Sequence, residues 1–214
     1  MYAADCMYHV YNRGVEQRII FIDAQDYHVF LRYVSDALMM PMPEISPASL
    51  RTALRKPKNF YGKVECLAFA LMPNHFHFLF RQITETAIKE FLQSVCTRYT
   101  AYFNTKYKRI GTLYESSYKA VLVDTDDYAI WITRYIHRNP LEAGLPLHGP
   151  YSSYDTYLGK LPYPWVIVEP IRGTFGASSI EYLKHGAKSP IESYRNFVES
   201  GDISDSPDAP SFDD

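Results

Sequence analysis

The chain has 214 residues, 47 % of them hydrophobic, which is enough apolar side chain for one folded domain of ordinary size with an appendage. Its three cysteines are scattered at Cys6, Cys66 and Cys96, a pattern that excludes a zinc ribbon and a disulfide framework and points to a reducing, cytoplasmic setting. The net charge of −2 hides an asymmetry: Phe197 to Asp214 carries six acids and no Lys or Arg, and the rest of the chain carries 22 basic against 18 acidic residues. No basic-then-apolar leader is visible, and no apolar run approaches the ~18–20 residues that a membrane span requires.

In chain order, Cys6 to Gly14 (CMYHVYNRG) reads as a strand closed by the turn signal Asn12-Arg13-Gly14. Asp23 caps a predicted helix in which Tyr27, Phe30, Leu31, Val34 and Leu38 recur at helical spacing. Residues 41–59, with four prolines, read as a loop insertion. Val64 to Leu71 and Asn74 to Phe80 are two apolar strands joined by a tight hairpin at Met72-Pro73-Asn74. The longest predicted helix, Thr84 to Tyr107, is followed by a strand ending near Val123. A helix from Asp124 to Arg138 is stopped by Asn139-Pro140. Beyond Pro140 the texture changes to loops laid over the body, with one or two short helices within Ile180 to Val198.

A hairpin of apolar strands, with helices making the other connections, predicts an α+β fold. The expected architecture is a ferredoxin-like (RRM-like) antiparallel sheet with helices packed on one face, plus a small helical C-terminal extension. The expected divisions are a domain over 1–160 with the insertion at 41–59, the extension over 161–198, and an acidic disordered tail over 199–214.

Within LMPNHFHFLF, alternate strand residues point to opposite faces. His75 and His77 therefore share one face, and Phe76, Phe78 and Phe80 share the other. Two imidazoles about 7 Å apart at their Cα atoms can converge on one metal ion. Taken alone, however, the spacing is more often a pair of hydrogen-bonded histidines on a solvated strand. In ITRYIHRNP, Tyr135 and Asn139 lie at i and i+4 on one helix face, with Arg138 beside them. The Asn139 amide oxygen can ligate a hard cation. The Tyr135 phenol becomes a nucleophile when a cation and a phosphate-binding Arg stabilise the developing charge. A tyrosine packed on the sheet and a helix-ending Asn account for the same residues. His137 falls outside this face and reads as a surface residue.

The ordered series YHVYNRG, ALMPNHFHFLF, YTAYFNTKYKRIGTLYESSYKAVLV, YIHRNPLEAGL and YSSY spans roughly Met7 to Gly159. It closely resembles the REP-associated tyrosine transposases of the HUH single-tyrosine superfamily. The resemblance implies an enzyme of DNA transposition and recombination that nicks and joins single-stranded DNA beside hairpins, REP-like repeats among them, as a monomer or homodimer with no membrane partner. It maps the nucleophile onto Tyr135, which would form a 5′-phosphotyrosine and free a 3′-hydroxyl, and the ligands of a Mg²⁺ or Mn²⁺ ion onto His75, His77 and Asn139. It also implies DNA contacts by Arg98, Lys106, Lys108, Arg109 and Lys119, with Asn12, Arg13 and Arg138 as further candidates. A non-catalytic, domesticated relative that binds structured DNA as a regulator is the alternative. One departure stands out: where family members often carry Trp-Gln-Gly-Arg-Phe-Lys, this chain has Tyr114-Glu115-Ser116-Ser117-Tyr118-Lys119, losing an Arg and gaining an acid.

Overall fold

The computed structural model describes residues 3–41, 57–175 and 189–200. Most of the 41–59 insertion and of the 199–214 tail therefore lies outside the described residues. The elements run β1 (Cys6–Arg13), α1 (Ala24–Leu38), β2 (Val64–Met72), β3 (His75–Gln82), α2 (Ala87–Lys106), β4 (Lys119–Val123) and α3 (Asp126–Glu142). The extension contributes two single-turn helices, α4 (Tyr154–Tyr157) and α5 (Glu169–Arg172), and the longer α6 (Pro190–Glu199).

The sheet order is β2-β3-β1-β4, every neighbour antiparallel, which is the ferredoxin-like arrangement that the element order predicts. Alternation along β3 sends Phe76, Phe78 and Phe80 to one face, where they meet α1 and α2. Phe30 of α1 packs on Phe76 and Phe78 at ring separations of 5.4 and 6.4 Å, and Phe91 of α2 meets Phe80 edge-on at 5.2 Å. All these rings are buried, and burying each stabilises the fold by roughly 1.5–3 kcal/mol. Asp23 begins α1 as expected, accepting from the Asp26 N–H at 3.1 Å while the Asp26 carboxylate accepts from the Asp23 N–H at 3.3 Å.

Helices do not pack on one face alone. α3 lies across the opposite face, over β2 and β3, so the sheet is covered on both sides. The small side chains of Ala68 and Ala70 on β2, in register with Leu79 and His77, let the helix come close on that side. α3 also begins and ends later than its sequence signals. Thr125 is the N-cap, its hydroxyl accepting from the Tyr128 N–H, and Pro140 is inside the helix. A proline there removes one N–H in the last turn, a loss the helix carries for two further residues.

The segment after α3 is not merely laid over the body. Residues 151–153 pair with β2 through the Leu71 N–H to Tyr151 O (2.8 Å) and the Ser153 N–H to Phe69 O (2.9 Å). Further along, the Ile167 N–H donates to Cys66 O at 2.8 Å. The outer edge of β2 is thereby occupied. Gly14 closes β1 against the hairpin: its N–H donates to Asn74 O at 2.8 Å, and a Cβ at this position would sit 2.3 Å from Arg18 O. Only glycine fits there.

Candidate active site

The face opposite the phenylalanines is built from three strands and α3. Register pairs His77 with Tyr11 and His75 with Arg13, and pairs Tyr11 in turn with Lys119 on β4. Cross-strand partners share a face, so His9, Tyr11, Arg13, His75, His77 and Lys119 form one polar and aromatic surface. His9 and His77 are stacked at 5.1 Å, and Nε2 of His9 lies 2.9 Å from Nδ1 of His77. Tyr11 stacks on both imidazoles at 5.3 and 5.5 Å, and the Lys119 ammonium lies 5.7 Å from the Tyr11 ring.

α3 brings Tyr135 and Asn139 onto this surface. The Tyr135 ring meets His77 edge-on at 5.4 Å and His9 at 5.7 Å. Asn139 Oδ1 lies 3.1 Å from His75 Nε2, while His75 Nδ1 lies 2.7 Å from Asn74 Oδ1. The structure thus gathers His75, His77, Tyr135 and Asn139, residues from a strand and a helix about 60 positions apart in sequence.

The donor set fits a hard or borderline cation. Asn74 Oδ1 can only accept, so it fixes the proton of His75 on Nδ1 and leaves the Nε2 lone pair directed at Asn139. Asn139 Oδ1 is also an acceptor. With His75 neutral, two lone pairs at 3.1 Å suit two ligands of one ion; a hydrogen bond there needs either a turned amide or an imidazole protonated on both nitrogens. Burial holds the His77 imidazole well below its usual range, reinforced by the neighbouring His9 and His75, and burial pushes His9 down to about 3. Both rings are neutral at ordinary pH, the form that ligates metals. Among the described residues no group of three or more His, Cys, Asp and Glu side chains is placed to hold an ion, so an ion on this face would need the Asn139 oxygen beside the histidines.

The cations expected to meet DNA separate into two groups. Arg13 and Lys119 lie on the histidine face, although Arg13 donates to Glu115 at 3.2 Å. The acid that departs from the family pattern thus partly neutralises this arginine. Arg98, Lys106, Lys108 and Arg109 belong to α2 and its C-terminal turn, on the other side of the sheet. Arg98 lies over the Tyr33 ring at 4.0 Å and near Asp36 at 3.6 Å. Lys106 bridges Asp23 and Asp26 at 2.7 and 2.8 Å, and Arg109 donates to Asn104 Oδ1 at 2.9 Å. Lys108 is exposed. Burial alone would raise the fully buried Asp26 carboxyl, but hydrogen bonds from Lys106, Tyr107, the Ile22 N–H and Tyr102 outweigh it and hold the group below the usual range. Lys106 is therefore a clamp between α1 and α2.

Three expectations are corrected. Asn12, a candidate for exposed contact, is instead buried, its amide donating to Ser116 O (3.0 Å) and Ser117 O (3.1 Å), so it shapes the approach to β4. Arg138 turns away from the site and donates to Val198 O at 2.7 Å. His137 is fully buried, 2.7 Å from both Tyr194 Oη and Ser153 Oγ. Two further residues of this face, His9 and Tyr11, are signalled in the sequence only by their alternation in YHVYNRG, which sets them on one face of β1.

Residues 49–139 match the model of the family described as "Transposase IS200 like", a span that holds both histidines and α3 as far as Asn139. Over that span, less than half of the chain, the sequence is similar to the IS200-like transposases. No curated protein matches the chain. Eight solved chains do, one of them described as "Structure of the REP associates tyrosine transposase bound to a REP hairpin". That match has 13 % identity and a TM-score of 0.47, and covers 80 % of this chain and 90 % of the other. Among the described residues no helix is long and apolar enough to cross a membrane.

Proposed function

We propose that the protein is a metal-dependent endonuclease and strand transferase acting on single-stranded DNA beside hairpins, with Tyr135 as its nucleophile. The observation that carries this reading is the convergence of Tyr135 and Asn139 with His75 and His77 on one face of the sheet. A binding module has no chemical need for that convergence.

His75, His77 and Asn139 would hold Mg²⁺ or Mn²⁺, which when bound polarises a phosphate oxygen and neutralises developing charge. Tyr135 Oη gives up its proton and attacks phosphorus. The bond from phosphorus to the 3′-oxygen breaks, and that oxygen takes up a proton as a free 3′-hydroxyl. The 5′-phosphate stays esterified to Tyr135, so the bond energy is kept and a 3′-hydroxyl can reverse the step without a nucleotide cofactor. Lys119, beside Tyr11 on the same face, supplies the positive charge for the DNA backbone that Arg138 does not.

The test is incubation of wild type and Tyr135→Phe with hairpin-bearing single-stranded oligonucleotides in Mg²⁺, Mn²⁺ or EDTA, followed by denaturing electrophoresis. The expected result is a covalent DNA–protein adduct in wild type with metal, absent from Tyr135→Phe and from EDTA. Equal adduct in both proteins, or none in either across metals and hairpins, overturns the reading. Salt-dependent hairpin binding without nicking would mark the protein as a structured-DNA-binding regulator.

A further inference from the structure

At 100° per residue, His137 points to the opposite flank of α3 from Tyr135 and Asn139. The side of α3 between that flank and the Tyr135 face is tied to α6 at successive turns. Trp131 meets Phe197 of α6 edge-on at 5.4 Å. Arg134 donates to Phe197 O at 2.7 Å and Ser200 O at 2.6 Å, and Arg138 donates to Val198 O at 2.7 Å. Two guanidinium groups thus satisfy the end of α6, where the last carbonyls lack helical partners and the helix dipole is negative.

His137 sits among these contacts and makes the link to the sheet. Its Nδ1 lies 2.7 Å from Tyr194 Oη on α6, and its Nε2 lies 2.7 Å from Ser153 Oγ. Ser153 Oγ in turn accepts from the Phe69 N–H at 2.9 Å and lies 3.3 Å from Phe69 O. One proton order satisfies every group: Tyr194 donates to Nδ1, Nε2–H donates to Ser153, and Ser153 donates to Phe69 O. Phe69 is the neighbour of Ala70, the cross-strand partner of His77. A hydrogen-bonded chain therefore runs from α6 through α3 to the strand beside the candidate ligand. The apolar contacts of the buried Ile132 and Ile136 turn one face of the helix inward, and the hydrogen bonds, being directional, sharpen that rotation.

We propose that His137 is a positioning residue which, held by Tyr194 and Ser153, fixes the rotation of α3 and so the approach of Tyr135 and Asn139 to His75 and His77. The proposal rests on the reading of Tyr135 as nucleophile. It gives the C-terminal helix a role in the reaction although α6 contributes no residue to the site.

The test uses Tyr194→Phe and Ser153→Ala, each of which deletes one hydroxyl, together with His137→Gln. Val34→Ala, in α1 on the far side of the sheet, serves as a control of matched stability loss. At saturating oligonucleotide, adduct formation is expected to slow about 10–100-fold in the three site variants, as a displacement of around 1 Å does. Oligonucleotide affinity should stay within about twofold of wild type, and Val34→Ala should keep its rate. A second readout needs no catalysis: 3-fluorotyrosine at position 135 alone should give one ¹⁹F resonance in wild type and broadened or multiple resonances in Tyr194→Phe and His137→Gln. Wild-type rates and spectra in those variants overturn the proposal, as does an equal rate loss in Val34→Ala. If wild type forms no adduct, the nucleophile reading fails by itself, and the fluorine spectra still decide whether His137 positions the helix.

Discussion

Along β3 the side chains alternate between two neighbourhoods that use burial for different ends. Phe76, Phe78 and Phe80 enter a packed aromatic layer under α1 and α2, where volume decides the outcome. His75 and His77, from the same eight-residue strand, enter a layer in which each ring has a directed partner: Asn74 and Asn139 for one, His9 for the other. An apolar layer tolerates a side chain of similar size that sits differently. A directed layer does not, because a misaligned donor or acceptor is left unpaired in a dry site. The comparison says where stability is made and where geometry is held.

The largest expected effect lies on the phenylalanine face. Phe78→Ala should destabilise the fold by about 3–5 kcal/mol, and Phe78→Leu by less than about 1.5 kcal/mol, as read by urea unfolding. Similar losses for the two would show that volume does not govern this layer.

The histidine side should respond to acid instead. Burial pushes His9 and His137 down to about 3, whereas in the unfolded chain a histidine titrates near 6.5. Below about 6.5 the unfolded state takes up protons that the folded state refuses. Stability is therefore complete above that pH and falls as pH drops toward 3, by at most ~1.4 kcal/mol per pH unit for each histidine. Thermal midpoints from pH 8 to pH 4 check this, and a midpoint that stays flat between 7 and 5 would contradict the neutral, buried assignment. The onset near 6.5 separates this loss from carboxylates such as Asp26, which protonate only at lower pH.

The smallest effect concerns the two groups of cations. Lys119→Ala should reduce the salt slope of oligonucleotide binding by about one and leave stability unchanged. Lys106→Ala should do the reverse, because its partners are Asp23 and Asp26. Equal changes in slope would place both sheet faces on the DNA.

What was legible in the sequence was whatever strand alternation or helical period could carry. The two faces of β3 follow from period two, and the shared face of Tyr135 and Asn139 follows from i and i+4. Features that depend on what covers an element were not legible. His137 reads as exposed because nothing local announces Tyr194, 57 positions onward, or the folding back of Ser153 along β2. Arg138 reads as a phosphate ligand for the same reason, since its actual partner is the end of a helix about 60 residues away. Lys106 and Arg98 count as surplus charge until the fold sets Asp23, Asp26 and Asp36 beside them. Periodicity ranks faces; it does not name their neighbours.

The occupied edge of β2 has one more consequence. Tyr151 to Ser153 and Ile167 take up ladder hydrogen bonds that an outermost strand would otherwise offer to any passing chain. A protein rich in aromatic strands is thereby shielded on that flank from runaway sheet growth and fibre formation. The same segment that braces α3 through Ser153 thus closes the outer edge of the sheet once it has folded back along β2.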